Sequence, residues 1–361
     1  MTWWPIYLGA WLATALVATV LTRIARDLAP RLGFVDKPLN EAHKQHASIT
    51  PVFGGAAMLS AWLLCIGGGA AVALLLRHLL PESIAEHLAN AGAVSGRLLI
   101  LVGCATGMSL LGLIDDRLAL KAWQKFLGQI VFAGIAAAWG VRITALFGSP
   151  IITWGLTVFW ILLIVNALNF LDNMDGLAAG ISALAAFLFL FTAAARGQHF
   201  VAVLAAVTCG AASGFLVYNK PKASIFMGDA GSHFLGFNLA VIGALTTFYT
   251  QESRTLAPLL TPVLILGVPI FDTFAVVLIR IRAGQPIYVG DNRHISHRFQ
   301  HLGLSRPIAA LLVCLLSFTV GCGAVALIWL PPAGAAVVLL QSALVFVIIS
   351  IIQFHVPKKE A

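Results

Sequence analysis

The chain has 361 residues, of which 60% are hydrophobic and only 10% are charged, and its formal net charge is +8. Apolar runs of about twenty residues, the length that a helix needs to cross a bilayer, recur along the sequence. This composition excludes an ordinary soluble domain and predicts an integral membrane protein.

The predicted membrane spans number about eleven, with ten as an alternative count because some of them are short. In chain order they cover residues 3–22, 53–76, 98–114, 126–141, 151–168, 177–195, 199–217, 233–250, 256–279, 307–329 and 334–354. The first has no basic segment before it and no clear cleavage site after it, so we expect a retained helix and not a signal peptide. Since no repeat or soluble insertion interrupts the spans, residues 1–361 are expected to form one all-α, polytopic helical bundle.

Lys and Arg are distributed unequally between the predicted loops. With the N-terminus outside and the C-terminus in the cytoplasm, seventeen of the 22 basic residues lie inside. The outer loops hold the other five, which are Arg77, Arg97, Arg142, Arg196 and Arg254. This distribution follows the positive-inside rule. The basic composition therefore indicates membrane topology and gives no reason to expect nucleic-acid binding.

Five aspartates gather beside the predicted cytoplasmic ends of the spans. Asp115 and Asp116 end the third span in "LLGLIDDRLAL", Asp172 and Asp175 follow the fifth in "NALNFLDNMDGLAAG", and Asp229 lies in "SIFMGDAGSHFLGF". A carboxylate at a helix C-terminus is unfavourable because the helix macrodipole already places partial negative charge there. A hard divalent cation would relieve this repulsion, so the pattern predicts a site for Mg²⁺, with Mn²⁺ as an alternative.

Basic side chains lie in the same loops. They include Lys44, His46, Lys121, Lys125, Arg280, Arg282, Arg293, His294 and His297. Carboxylates that hold a metal ion, with Lys or Arg to neutralise the remaining charge of phosphates, meet the requirements of phosphoryl transfer. No Walker motif is present, so ATP is not the expected substrate. Each acid alone has a simpler interpretation as an ion-pair partner of a nearby lysine, but this accounts less well for all five.

Four sequence blocks carry a family resemblance. They are "LGLIDDRLALKAWQKFLGQ", "NALNFLDNMDGLAAG", "YNKPKASIFMGDAGSHFLGF" and "PIFDTFAVVLIRIRAGQPIYVGDNRHISHRF". In this order and spacing they resemble the polyprenyl-phosphate N-acetylhexosamine-1-phosphate transferases of glycosyltransferase family 4. The first loop, "GFVDKPLNEAHKQHASITPVFGG", is similar to that family's basic loop, which ends in a Gly pair. The "DNRHISHRF" loop resembles the WecA and TagO branch, which uses UDP-N-acetylhexosamine, better than the MraY branch.

The resemblance implies a reaction at the cytoplasmic face of a bacterial inner membrane. N-acetylhexosamine 1-phosphate, with N-acetylglucosamine 1-phosphate as the first choice, would pass from a UDP-sugar to undecaprenyl phosphate for cell-envelope polysaccharide synthesis, and UMP would leave. Asp115 would position or deprotonate the lipid phosphate. Because a phosphate monoester is largely dianionic at neutral pH, direct attack is the preferred mechanism. A covalent step through an aspartate stays open, as does assembly into a homodimer.

The resemblance also implies residue roles. Asp229, with Asp116 and Asp172, would hold magnesium, while Asp175 would hydrogen-bond uracil and Phe226 would stack on it. The implied catalytic residues are Asp115, Asp116, Asp172, His294 and His297. The implied substrate-binding residues are Lys44, His46, Lys125, Asn169, Asp175, Asn219, Phe226, Arg280, Arg282 and Asp291. For the basic residues in this set, snorkelling at a helix end is the competing interpretation.

Asp272 and Ser296 do not belong to these sets. Asp272 is an acid inside the ninth span, so it is a functional hypothesis by default, although it could simply hold helices together by hydrogen bonds. Ser296 stands in "HISH", where the resembling branch usually has His-x-His-His. A hydroxyl can donate to phosphate but carries no positive charge. The substitution therefore puts the sugar specificity or the catalytic rate in question, and not the architecture.

Two other functions remain as alternatives. A secondary transporter would also gather acids and bases in a helical bundle, but its site would lie near the midplane, between broken helices in two matching halves. Within the enzyme class, the alternative is the transferase of peptidoglycan synthesis that uses UDP-N-acetylmuramoyl-pentapeptide.

Overall fold

The computed structural model describes residues 3–36, 49–75, 91–144, 148–250, 252–286 and 293–355. The helices are α1 (Trp4–Leu32), α2 (Gly54–Leu75), α3 (Ala91–Leu118), α4 (Ala122–Ala138), α5 (Pro150–Leu171), α6 (Leu177–Ala195), α7 (His199–Asn219), α8 (Gly228–Leu245), α9 (Thr261–Ile265), α10 (Gly267–Arg282), α11 (Ile295–His301), α12 (Arg306–Ala326) and α13 (Pro332–His355). A 3₁₀ turn, Ala257–Leu260, precedes α9. Strands β1 (Val35–Asp36) and β2 (Thr50–Pro51) form an antiparallel pair.

The prediction of an all-helical, polytopic membrane bundle is confirmed. Each predicted span coincides with a helix, and the span at 256–279 coincides with the α9–α10 pair, which bends by 71°. Within the described residues, eight helices are long and apolar enough to cross a membrane, or nine if the bent pair forms one span. The count of eleven stays a prediction, because α4 is only 17 residues long and α8 carries several polar residues.

Helix α1 shows how the bundle meets lipid. Leu8, Leu12, Leu16, Val20 and Ile24 are exposed at every fourth position and form one apolar stripe. Its opposite side buries mainly small residues against α7. Because residues four apart share a helix face, one side of α1 suits the hydrocarbon core while the other packs closely in the bundle.

Helix α8 is the centre of the bundle. Every residue from Ala230 to Gly243 is buried, and the helix packs against α2, α3, α5, α6 and α7. A helix that is buried on all sides can carry polar side chains only where neighbouring helices supply partners. Its N-terminus, which bears Asp229, lies where α3 and α5 end, so the position of α8 sets the geometry at this end of the bundle.

The short β-ribbon fixes the first loop against the segment that precedes α8. Val35 pairs with Pro51 across the two strands. The N–H of Phe226 donates to the carbonyl oxygen of Pro51 at 2.8 Å, and the N–H of Gly54 donates to that of Phe226 at 3.0 Å. The chain on both sides of residues 37–48 is therefore held beside the beginning of α8.

Candidate active site

Three helix ends bring the predicted acids together. Helix α3 ends shortly after Asp115 and Asp116, α5 ends immediately before Asp172, and α8 begins beside Asp229. The first turns of α4 place Lys125 in the same region. We call this region, defined by these four carboxyl groups, the acidic end of the bundle.

The carboxylate of Asp116 caps helix α8. It accepts hydrogen bonds from the backbone N–H groups of Asp229, at 2.7 Å, and Ala230, at 3.1 Å. The first N–H groups of a helix have no partner within the helix and carry partial positive charge, so a carboxylate satisfies and stabilises them. The N-terminus of α8 therefore relieves part of the repulsion that the sequence predicts at the C-terminus of α3.

Two glycines allow these helix ends to touch. A Cβ atom at Gly112 would lie 2.3 Å from the carbonyl carbon and oxygen of Asp229. Gly228 has a φ of +66°, and a Cβ atom there would lie 2.5 Å from Oδ2 of Asp116. Glycine lacks that atom and adopts positive φ without steric strain. Both positions thus bring the backbone of α8 directly against α3.

The ammonium group of Lys125 lies among oxygen atoms from three helices. Its Nζ is 3.0 Å from Oδ2 of Asp115 and 3.4 Å from Oδ1 of Asn169, and it pairs with Oδ2 of Asp229. Asn169 also donates from Nδ2 to Oδ1 of Asp229 at 2.7 Å. Carboxylate and amide oxygens are the donors that Mg²⁺ prefers. This oxygen set fits a hard cation, and Lys125 is the cation that it holds here.

The carboxyl group of Asp172 lies close to other acids. Burial, together with the negative charges of Asp229, Asp116 and Asp175, raises the pKa of Asp172 to about 8. Within the described part of the chain, no group of three His, Cys, Asp or Glu side chains forms a ready metal site. The fit to a metal ion therefore rests on the oxygen set around Lys125, with Asp172 beside it.

A second group of predicted residues holds the loop between α7 and α8. Oδ2 of Asp175 accepts the N–H groups of Lys222, at 3.1 Å, and Ala223, at 3.0 Å. The buried amide of Asn219 accepts the N–H of Gly176 at 3.1 Å and donates to the carbonyl oxygen of Ile225 at 2.9 Å. These bonds fix the loop that carries Phe226. The predicted contacts of Asp175 and Asn219 with a nucleotide stay predictions.

Asp272 holds residues 293–297, which we call the histidine loop, from within the bundle. It is 2% exposed, its Oδ2 lies 2.6 Å from Nδ1 of His294, and its Oδ1 accepts the N–H of Ile295 at 2.8 Å. The carboxylate thus favours the tautomer with the proton on Nδ1 and leaves Nε2 for another partner. The ring of Phe170 contacts His294 edge-on. The buried guanidinium of Arg280 lies over the ring of Phe170, 5.3 Å from its centre.

Ser296 and His297 are both buried. The hydroxyl of Ser296 donates to Oδ1 of Asn173 at 2.7 Å, so it joins α11 to the turn that follows α5. Nδ1 of His297 lies 3.1 Å from Oε1 of Gln300, and burial lowers the pKa of His297 to about 4. His297 is therefore neutral near pH 7. It is suited to hydrogen bonding and not to the role of a cation.

One predicted substrate-binding residue, Arg282, lies away from the acidic end and from the loop between α7 and α8. Arg282 is exposed, and its guanidinium lies 6.0 Å from the ring centre of Phe354 on α13. Lys44, His46 and Asp291 lie outside the described residues. Their predicted roles stay predictions.

A chain of largely buried polar side chains, which the sequence did not predict, lies beneath Asp229. Nδ2 of Asn166 donates to Oε1 of Gln129 at 2.8 Å, and Nε2 of Gln129 lies 2.7 Å from Nε2 of His233. Nδ1 of His233 bonds the carbonyl oxygen of Asp229, which requires the proton on Nδ1. This chain ties α4 and α5 to the first turn of α8. Polar residues inside three apolar spans were the signal that could have revealed it.

The cap formed by Asp116 leads to a stability prediction. Asp116→Ala should lower the free energy of unfolding by about 2 kcal/mol, the upper range for loss of a helix cap. Asp116→Asn should cost less, because its amide oxygen still accepts a hydrogen bond. Thermal or denaturant unfolding in detergent with EDTA measures the effect without divalent ions.

Asp27→Ala is the matched control for that experiment. Asp27 is 63% exposed and pairs with Arg26 on the surface, so its loss should change stability little. Equal stability of Asp116→Ala and Asp27→Ala would contradict the capping role.

Known proteins resemble this chain over the region that forms the acidic end. The model of the family described as glycosyl transferase family 4 matches residues 98–247, which include the ends of α3 and α5 and all of α8. A probable undecaprenyl-phosphate N-acetylglucosaminyl 1-phosphate transferase of Bacillus subtilis is 34% identical, over 89% of this chain and 86% of the relative.

Further relatives differ in their substrates. The decaprenyl-phosphate N-acetylglucosaminephosphotransferase of Mycobacterium tuberculosis is 32% identical, over 92% of this chain and 85% of the relative. A phospho-N-acetylmuramoyl-pentapeptide-transferase of Desulforudis audaxviator is 31% identical, over 67% of this chain and 76% of the relative. These matches span most of both chains, and the match to the family includes the acidic end. The chain therefore belongs to glycosyl transferase family 4, the family of polyprenyl-phosphate sugar-phosphate transferases that its sequence blocks resemble.

Proposed function

We propose that this membrane protein transfers N-acetylglucosamine 1-phosphate from UDP-N-acetylglucosamine to undecaprenyl phosphate and releases UMP. The observation that carries the proposal is the acidic end, where Asp115, Asp229 and Lys125 meet in one contact between helix ends. The names of two relatives specify N-acetylglucosamine and a polyprenyl phosphate, which supports the choice of the sugar and of the lipid acceptor.

A divalent cation, Mg²⁺ or Mn²⁺, is part of the proposal. Asp229 and Asn169, with Asp172 beside them, would hold it. Such an ion supplies charge that stabilises the phosphate oxygens during transfer. Asp116 would act mainly through its position, because its carboxylate already fixes the first N–H groups of α8.

The reaction itself needs few groups from the protein. An oxygen of the lipid phosphate would form a bond to the sugar-linked phosphorus, and the bond from that phosphorus to UMP would break with its electron pair leaving on UMP. The attacking phosphate is largely dianionic at neutral pH, so Asp115 would orient it and would not have to remove a proton. Lys125 would neutralise charge on the diphosphate, and His294 would offer Nε2 from a fixed ring.

The proposed location follows from the distribution of basic residues. The loops at the acidic end carry most of the Lys and Arg, so the positive-inside rule puts this end in the cytoplasm, where nucleotide sugars are made. We propose a multi-pass protein of the bacterial inner membrane whose acidic end faces that compartment.

The two alternative functions have less support. The peptidoglycan-type relatives match at 29–31% identity, and the first of them covers a smaller part of this chain. Among the described helices, one pair is bent at a break, and no second bent pair matches it in another half of the molecule. A transporter with paired broken helices is therefore not favoured.

The direct test is transfer by the purified protein. With Mg²⁺, UDP-N-acetylglucosamine and undecaprenyl phosphate, UMP should be released and a lipid-linked sugar should form. Asp229→Asn should lower turnover by on the order of a hundredfold or more while the protein stays folded, because the amide keeps the size but loses the charge. EDTA should abolish the activity. Absence of UMP release with any UDP-N-acetylhexosamine from folded protein would refute the proposal.

The histidine loop generates a second prediction. Asp272→Asn should lower turnover about a hundredfold, the scale of losing one group that stabilises developing charge, because His294 would lose its fixed tautomer. Ser296→Ala removes one neutral hydrogen bond and should cost about tenfold at most. Steady-state kinetics with the UDP-sugar compares the two variants. Wild-type turnover in Asp272→Asn would show that the fixed tautomer of His294 does not contribute to catalysis.

A further inference from the structure

Lys125 is surrounded by oxygen atoms at the acidic end, as a bound metal cation would be. Its side chain is 17% exposed, and its Nζ contacts oxygens of Asp115 on α3, Asn169 on α5 and Asp229 on α8. A lysine that only neutralised surface charge would not need three oxygen partners from three helices. The ammonium group is compact and carries three donors, so it can satisfy all three at once.

The same oxygens are those that the proposed function assigns to a divalent cation. A magnesium ion binds oxygen at about 2.0–2.1 Å, whereas a charged nitrogen donor sits about 2.7–2.9 Å from its acceptor. Lys125 occupies Oδ2 of Asp229 and the amide of Asn169 occupies Oδ1, so a metal ion that binds this carboxylate must replace or share one of these contacts. Because two cations on one carboxylate repel each other strongly, the ion favours displacement of the ammonium group.

We propose that Lys125 is an exchangeable internal cation, which a divalent metal ion displaces from Asp229 so that its ammonium group becomes available to a diphosphate. This inference rests on the proposed function and deepens it. It gives Lys125 two successive partners, which are carboxylates before the metal binds and phosphate afterwards. The acidic end thus keeps its negative charges compensated in both states.

The surroundings of Lys125 allow its side chain to move while its helix stays in place. The first turn of α4 is fixed by the bond from the N–H of Lys121 to Oε1 of Gln124, at 3.0 Å. One turn after Lys125, the buried Gln129 bonds His233 on α8. The lysine stem has four flexible carbon atoms, which let the ammonium group swing over several ångströms. An exchange therefore requires only a change of side-chain rotamer.

The competing model is a permanent ion pair. In that model Lys125 stays on Asp229 and a metal ion binds elsewhere, for example at Asp172. The two models differ in whether metal binding frees the amine of Lys125, which chemical labelling can measure without any substrate.

The experiment uses an amine-reactive reagent and mass spectrometry on the full-length protein in detergent. Saturating Mg²⁺ should raise the labelling rate of Lys125 about tenfold, the scale of losing one charge-assisted hydrogen bond. Lys121, which is exposed on the same segment, is the internal control and should not change. In Asp229→Asn, Lys125 should be labelled rapidly without metal, and Mg²⁺ should have no further effect.

The unfolding temperature measures metal binding independently, because a ligand that binds the folded state raises it. If Mg²⁺ raises the unfolding temperature but leaves the labelling of Lys125 unchanged, the exchange is refuted. Failure to release UMP despite metal-dependent labelling would refute the proposed function alone. UMP release without metal-dependent labelling would refute only the exchange.

Discussion

The acidic end depends on one electrostatic constraint, which is the concentration of four carboxyl groups where α3 and α5 end and α8 begins. Isolated carboxylates in such surroundings are costly, so each needs a compensating positive charge. The structure supplies two sources. The N-terminus of α8 compensates Asp116 through two backbone N–H groups, and Lys125 compensates Asp115 and Asp229. Burial and the neighbouring acids raise the pKa of Asp172.

This constraint also explains features that lie away from the charges. Gly112 and Gly228 allow α3 and α8 to approach closely enough for the cap to form. The hydrogen-bonded chain from Asn166 through Gln129 to His233 ends on the carbonyl oxygen of Asp229. It therefore fixes the backbone of the residue that bonds Lys125. A charged site built on rigid helix ends can keep its geometry while a side chain such as that of Lys125 changes partner.

Much of the architecture could be predicted from the sequence, because apolar runs and the positions of acids at their ends are local signals. Membrane spans follow from length and hydropathy, and each predicted span coincides with a helix. The capping role of Asp116 could not be predicted, since it requires that the C-terminus of α3 meet the N-terminus of α8. The contact of Arg282 with Phe354 likewise depends on how α10 packs against α13.

The serine in the "HISH" loop illustrates the same limit. From sequence, Ser296 is a loss of one positive charge from a phosphate-binding loop. In the structure its hydroxyl is fully buried and bonds Asn173, so it serves to position α11 against the turn that follows α5. His297 is neutral near pH 7, so the positive charge of this region comes from arginines, which include Arg293 and Arg298 on either side of the histidines and Arg280 over Phe170.

The central claim is that the acidic end binds the metal ion and the diphosphate of the sugar donor. An experimental density map of the protein with Mn²⁺ and UDP-N-acetylglucosamine, recorded with anomalous scattering from manganese, tests it most directly. The account predicts a manganese peak within coordination distance of Asp229, with the diphosphate beside it and the nitrogen of Lys125 on a phosphate oxygen. A manganese peak remote from Asp229, or a diphosphate bound at the opposite end of the bundle, would contradict it.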